Sequence, residues 1–567
     1  MNATIPLLLF GLGTAISIMN RKAGYASVAA SSLVYLVMSV MDYSSVLDLF
    51  PIIASTVWFL MSLFSIGYDG YGRWLAPLFS LSVFGMVLVL TSTNYLEFLA
   101  GWEVMTVPVY VALGLRKGHG PAFTFMAFGE LSTALLLAGF ITSGNLEFAE
   151  LHSAVPLMIA TLGFMVKMGV LPFMASEWLP ISQGSAPSNL SALISASMTL
   201  MGVYGILKMA SLTAVQIPLA FSLAILVLGS AGVFFGALYG YVSEHLNGVL
   251  AFSTAENNGA ILAGIALYMA FRGEEFLLAP IILAFAHSLA KTGLFLSVGL
   301  QEAESMSLAK KLRGQELGLA LLAASMSGLL PTLGGVGSWL LFENLFISAY
   351  LLHSVVSTVI IASGFAVAMG EGLATALNVR FINYTSVFKK NNDKISMIEL
   401  LPILLSGALV LVLGFTVVYS VYPSKASIPL LGMLLDSVML TQYNGNGFGG
   451  IDPLYVAVLV QVLSLVSLLA FGKPKTRRVR TWNSGVRDQE EYAAFAMANN
   501  IRLMLRKVLG YKAGQLYVVD VFWAFMHRVA VGLSKFGRAF GSWLINSSIS
   551  WYVIYIMVVL ILVLVLI

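Results

Sequence analysis

Two lysines, one histidine and four glutamates stand in stretches otherwise built largely of Leu, Val, Ile, Ala, Phe and Gly. A charge at the centre of a bilayer costs on the order of a few kcal/mol, so each such residue is an ion-path candidate. Glu103 follows Trp102 in Leu-Ala-Gly-Trp-Glu-Val-Met-Thr-Val-Pro, and Lys167, alone among basic residues between Lys117 and Lys208, opens Lys-Met-Gly-Val-Leu-Pro at 167–172. A carboxylate and an ammonium group that approach and separate pass a proton in steps; held together, they form a static buried ion pair. The sequence leaves both arrangements open. His287 and Lys291 stand at i and i+4, on one helical face, a spacing suited to a proton wire between halves of the protein. Without a carboxylate or thiol at helical spacing they make a poor metal site. Glu130 and Glu256 lie within apolar stretches as polar-axis groups or as hydrogen-bonded structural carboxyls, and Glu343 is the only carboxylate in the second half of the stretch 316–350.

Membrane helices must hold these residues. Hydrophobic residues make up 59% of the 567 and charged ones 10%, which excludes a soluble globular enzyme, and a net charge of +4 argues against nucleic acid as a partner. With no cysteine, thiolate-ligated zinc, Fe–S clusters and disulfides are excluded within the chain. Apolar segments of bilayer length number about sixteen, the first six at 4–19, 24–41, 51–66, 74–93, 94–115 and 121–142 and the last at 549–567. The expected fold is all-α and polytopic. Under alternating topology eighteen basic residues, Arg380 among them, fall in loops on one side and three on the other (Lys208, Arg272 and Lys425), which places the N-terminus outside. Seven more follow between 495 and 545, leaving Lys167 and Lys291 as the basic residues inside spans.

The seventh span is interrupted at 167–172 and the twelfth at 330–337, in Leu-Pro-Thr-Leu-Gly-Gly-Val-Gly. Irregular backbone at membrane depth survives where protein or a wet cavity covers it, and matched broken helices point to a transport path. The division expected is 1–73, N-terminal helices; 74–212 and 213–376, two repeats; 377–471, helices 14 and 15; 472–548, an amphipathic arm along the membrane surface; and 549–567, a terminal anchor.

On these residues the sequence resembles the antiporter-like membrane subunits shared by respiratory complex I, Mrp-type cation/proton antiporters and energy-converting membrane-bound NiFe hydrogenases. The motifs are Trp102-Glu103, Lys167 to Phe173 followed by Trp178-Leu179-Pro180, Ser191-Ala192-Leu193, Leu250 to Gly259, and His287-Ser288-Leu289-Ala290-Lys291. The Glu-Asn-x-Gly variant and Trp482-Asn483-Ser484-Gly485 look closest to the hydrogenase, formate-hydrogenlyase and archaeal sulfane-reductase branch.

The resemblance implies two inverted five-helix repeats, spans 4–8 and 9–13, each around a broken helix, with a C-terminal lateral helix. It implies a membrane subunit that couples electron transfer in hydrophilic partner subunits to proton or sodium translocation. Glu103 and Lys167 take the positions of the family's conserved pair and Lys291 that of its central lysine. No cofactor is expected here; Fe–S and NiFe centres belong to partner subunits, and an adjacent antiporter-like subunit and lipid are the expected neighbours of the arm, in the cytoplasmic membrane of a prokaryote. Leu200 stands where the family usually has Lys or His, Ser338 where it has Lys or Glu, and Met174 where it has His. These departures imply a degenerate path, and the alternatives are a non-pumping coupling subunit of the same complex or an Mrp-type antiporter subunit.

Overall fold

The computed structural model describes residues 3–68, 72–173, 178–273, 275–301, 304–310, 312, 314–352, 355–387, 395–421 and 494–505, with short pieces between 442 and 470 and between 528 and 538. These are helical apart from connecting turns and one two-residue strand pairing at 442–447. The chain runs through α1 (Thr4–Met19), α2 (Arg21–Met41), α3 (Leu49–Gly67), α4 (Leu75–Thr91), α5 (Tyr95–Lys117) and α6 (His119–Ile141). The broken seventh span is α7 (Val155–Met168) and α8 (Trp178–Ser185); the eighth is α9 (Ser188–Leu193), a π-helical turn (Ile194–Met198) and α10 (Thr199–Leu212). Then come α11 (Leu219–Val242), α12 (Leu246–Phe271) and α13 (Glu275–Gly299), the broken pair α14 (Glu316–Met326) and α15 (Leu333–Leu351), α16 (Val355–Ile382), α17 (Met397–Val421) and α18 (Ala494–Met504). Among the described residues nine helices are long and apolar enough to span a bilayer, and four shorter apolar helices accompany them. The chain is a multi-pass membrane protein. The expected total of sixteen includes the segment 549–567 and most of 453–471, which lie outside the described residues, as do the basic run 473–487 and Met174.

Both expected breaks are present, and they share a residue order: Gly169-Val170-Leu171-Pro172 and Gly328-Leu329-Leu330-Pro331. Each holds a cis Leu–Pro bond, and each glycine adopts positive φ, 67° at Gly169 and 65° at Gly328, where a side chain would be strained. Proline then removes a backbone donor, so the helix must restart beyond it. The freed backbone is covered by neighbouring helices. Asn258 Nδ2 on α12 donates to Met168 O (2.7 Å), and Thr375 and Asn378 on α16 donate to Ser327 O (3.4 Å) and Ser327 Oγ (3.2 Å). Intact helices thus supply the hydrogen bonds the broken ones lack.

The first six expected spans coincide with α1–α6 to within a few residues, because Asn and Gly mark their ends. Asn20 and Asn94 cap α2 and α5, accepting from Ala23 N and Glu97 N. One finding differs from the sequence reading. Arg380, expected in a basic loop, is buried in the last turn of α16, where Nη2 donates to Ser243 O and the guanidinium lies 5.7 Å from the Tyr241 ring. The described part of the arm, α18, packs against this chain's own second half: Ile501 and Leu505 rest on a cluster of Leu238, Tyr239, Val242 and Phe252.

Candidate functional site

In the first half, Trp102 fixes the crossing of α5, α6 and α7. Its ring stacks on Phe98 (5.6 Å) and meets Phe164 edge-on (5.5 Å), and its Nε1 donates to Ser132 Oγ (3.3 Å), which donates to Gly163 O (2.8 Å). Glu103, next along α5, accepts from the Thr133 hydroxyl on α6. Lys167 is buried at the end of α7, and its Nζ donates to Thr106 Oγ1 (2.7 Å), one turn beyond Glu103. The ammonium also faces the rings of Trp102 (5.4 Å) and Phe125 (5.7 Å). Among the described residues Glu103 and Lys167 form no direct ion pair. Each is held by a threonine, and Glu103 and Glu130 both act electrostatically on the lysine. Glu130 sits on the exposed side of α6, one turn before Thr133.

At the centre, α13 carries His287 and Lys291, both buried. Lys291 Nζ donates to Leu250 O on α12 (3.0 Å), an oxygen that also accepts from Thr254 Oγ1 (2.9 Å). Thr254 shares a 2.6 Å hydrogen bond with Ser195 Oγ in the π-helical turn, and Ser195 O lies 3.3 Å from His287 Nε2. Since a carbonyl only accepts, Nε2 carries the hydrogen. Ser195 O also receives the Thr199 hydroxyl at 2.5 Å. The extra residue of the π turn therefore presents serine and threonine to the path immediately before Leu200, which is buried among apolar neighbours. The hydroxyls at 195, 199 and 254 were not singled out by sequence reasoning; no periodicity separates them from ordinary helix serines and threonines.

In the second half, Glu256 on α12 is buried and accepts from Asn257 Nδ2 and, at 3.4 Å, from Ser253 Oγ. Lys291 and a further carboxylate, Glu371 on α16, both act on it electrostatically. Glu371 was missed in the sequence, although it is the only charged residue from Val355 to Val379 and is flanked by Gly370 and Gly372. Its Oε1 accepts from Ser338 Oγ on α15 (3.0 Å). Glu343 is half-buried on α15, with an enclosed Oε2 that has no hydrogen bond among the described residues.

The two halves meet on the side of the basic loops in a cavity of about 130 Å³ lined by Tyr68, Arg116, Ser188, His245, Gln301 and Glu304, among others. Glu304 pairs with Lys117 at 2.9 Å, which holds its carboxyl below the usual range, and lies 4.0 Å from His245 Nε2. His245 caps α12, its Nδ1 accepting from Gly248 N at 3.2 Å. Burial lowers the His245 pKa; Glu304 opposes this, and Lys117 and Arg116 add to it. The neutral imidazole is thus built into the fold. Its contribution to stability is present above the usual value of 6.5 and lost as pH falls below it, since the unfolded chain then binds a proton that the native site resists. Lowering the pH from 7.5 to 5.5 is expected to depress the melting temperature of wild type more than that of His245→Asn, which keeps a capping acceptor without a titrating group. Equal slopes in the two thermal scans would contradict this.

Residues 92–365 match the family described as NADH:quinone oxidoreductase/Mrp antiporter, TM. Hydrogenase-4 component B of Escherichia coli K12 is 28% identical over 316 residues, 49% of this chain and 46% of that protein. Formate hydrogenlyase subunit 3 of the same strain is 26% identical over 291 residues, 46% of each. The chain spans about half the length of these curated relatives. The fold is shared with a chain of the membrane-bound sulfane sulfur reductase, an archaeal respiratory membrane complex (TM-score 0.72, 17% identity, 99% of both chains), and with one of the Mrp complex from Dietzia sp. DQ12-45-1b (TM-score 0.70, 20% identity, 99% of this chain and 62% of that one).

Proposed function

We propose that this chain, whose residues 92–365 match the NADH:quinone oxidoreductase/Mrp antiporter family, is an antiporter-like membrane subunit that conducts protons or sodium ions within a redox-driven respiratory complex. Electron transfer in partner subunits, which carry the Fe–S and NiFe centres, drives this movement; without cysteine, this chain offers no thiolate to ligate such centres. Its place is the cytoplasmic membrane of a prokaryote, N-terminus outside, beside further membrane and hydrophilic subunits.

The observation that carries this reading is the burial of ionisable groups with hydroxyl partners along the interior: Lys167 with Thr106 in one half, Lys291 with Thr254 and Ser195 around it at the centre, and Glu256 beyond. Ionisable groups in a membrane interior are retained where ions move. The cavity around His245 lies where the two halves meet on the basic side, and the helix breaks stand at Gly169 and Gly328. In this reading Glu103 and Lys167 exchange a proton through Thr133 and Thr106 rather than as a fixed ion pair, and His287 bridges the halves through the π turn. Leu200 is bypassed by the hydroxyls beside it.

Glu103→Gln keeps an acceptor for Thr133 but cannot carry a proton. The variant complex is expected to assemble and to translocate at least about tenfold more slowly, equivalent to ~1.4 kcal/mol on the transfer barrier. Inverted membrane vesicles energised in turn with hydrogen, formate and NADH, and read by dye quenching for protons and by radioactive sodium uptake, provide the measurement. Unchanged rates in Glu103→Gln and in Lys167→Ala would sink the relay.

A further inference from the structure

We propose that Glu371 on α16 is a proton-carrying residue of the second half, placed at the α14–α15 break from outside the broken helix and held there by Ser338. The inference rests on the reading of the chain as an ion conductor and adds a residue to that path.

Three observations bring the carboxyl to the break. Ser338 Oγ, in the second turn of α15, donates to Glu371 Oε1 at 3.0 Å. A Cβ built on Gly328, the left-handed residue of the break, would lie 3.4 Å from both Glu371 Oε2 and Ser338 Oγ, so the turning backbone lies against the carboxyl. Thr375 and Asn378, at i+4 and i+7 from Glu371 and hence on the same face of α16, donate to Ser327, the residue before that glycine. The polar stripe of α16 is fitted to the interruption in its neighbour.

The carboxyl has no cationic partner among the described residues to justify it structurally. Among the described residues no Lys, Arg or His nitrogen lies within 4.0 Å of Glu371. The titratable group whose field it shares is another carboxyl, Glu256, which in turn faces Lys291. Two carboxyls within each other's field inside a membrane resist carrying charge together, so a proton arriving at one favours release from the other. Lys291, Glu256 and Glu371 are thus ordered as successive proton holders from the centre of the molecule to the second break. Ser338, whose hydroxyl donates to Glu371 in this structure, then acts as a relay by turning: its oxygen accepts the proton of a protonated Glu371 while its own hydroxyl proton passes to a water molecule entering from the bulk.

A glutamine at 371 would preserve the acceptor for Ser338, so Glu371→Gln separates proton carriage from packing. N,N′-dicyclohexylcarbodiimide, which adds a protonated carboxyl in apolar surroundings across its C=N bond, provides a readout independent of pumping. In the intact complex, peptide mapping is expected to find the adduct on Glu371 and to find it absent in Glu371→Gln. Ion translocation in the vesicle assay is expected to fall at least tenfold in Glu371→Gln and to be unchanged in Glu150→Gln, an exposed loop residue. If Glu371→Gln does not assemble, Ser338→Glu with Glu371→Ser returns a carboxyl to the break from α15 and is expected to recover both labelling, now at 338, and translocation. No adduct on Glu371, or wild-type translocation in Glu371→Gln while Glu103→Gln is impaired, overturns this inference alone. Wild-type translocation in both variants removes the ion-conducting reading as well.

Discussion

Replacing Lys291 by Met is expected to abolish coupled ion movement while leaving the protein at least as stable as wild type. Lys291 is fully enclosed, and among the described residues its hydrogen bond goes to Leu250 O, which also accepts from Thr254. Burying an ammonium group carries a desolvation penalty of several kcal/mol, and an apolar side chain of similar length avoids it. The oxygen left behind keeps its threonine. A residue kept for stability would make the Met variant worse; a residue kept for ion transfer makes it inert and sound. Thermal scans of the purified complex and vesicle translocation assays together decide this. A lowered melting temperature with undiminished translocation would show Lys291 to be structural.

The second large effect is expected at the attachment of the arm. Arg502 on α18 is 2% exposed; its Nε donates to Val242 O (2.9 Å), its Nη2 to the same oxygen, and its Nη1 pairs with Glu244 Oε1 at 3.2 Å. Arg502→Ala strands that carbonyl and carboxylate in a site built around a guanidinium. Removing one partner of a buried pair costs about 3–5 kcal/mol, and the partial exposure of Glu244 puts the effect toward the lower end. The variant is expected to release α18 from the end of α11, seen as faster proteolytic cleavage around 494–505 and a lower melting temperature. Arg502→Lys is expected to recover only part, since an ammonium cannot reproduce the fork that reaches Val242 O and Glu244 together. Unchanged cleavage in Arg502→Ala would mean that Ile501 and Leu505 hold the helix by apolar contact alone.

Apolar length, basic-loop asymmetry and Gly-x-Leu-Pro interruptions are local properties, so the all-α membrane fold, the limits of the first six helices and both breaks were legible in the sequence. So was the burial of Lys167, His287 and Lys291, because an ionisable group flanked by apolar residues along a membrane helix is enclosed when that helix lies inside the bundle. What the chain order could not give was which helix faces which. Glu103 and Lys167 read as a pair, yet packing sets Thr133 against one and Thr106 against the other. Ser338 read as a lost ionisable position, yet α16 brings Glu371 to it. Arg380 read as a loop charge, yet the end of α16 buries it on Ser243 O. In each case the deciding partner comes from another element, between 30 and 137 positions away in the chain. One sequence fixes how apolar each helix is; only tertiary packing decides which hydroxyl or carboxyl completes a polar group inside it.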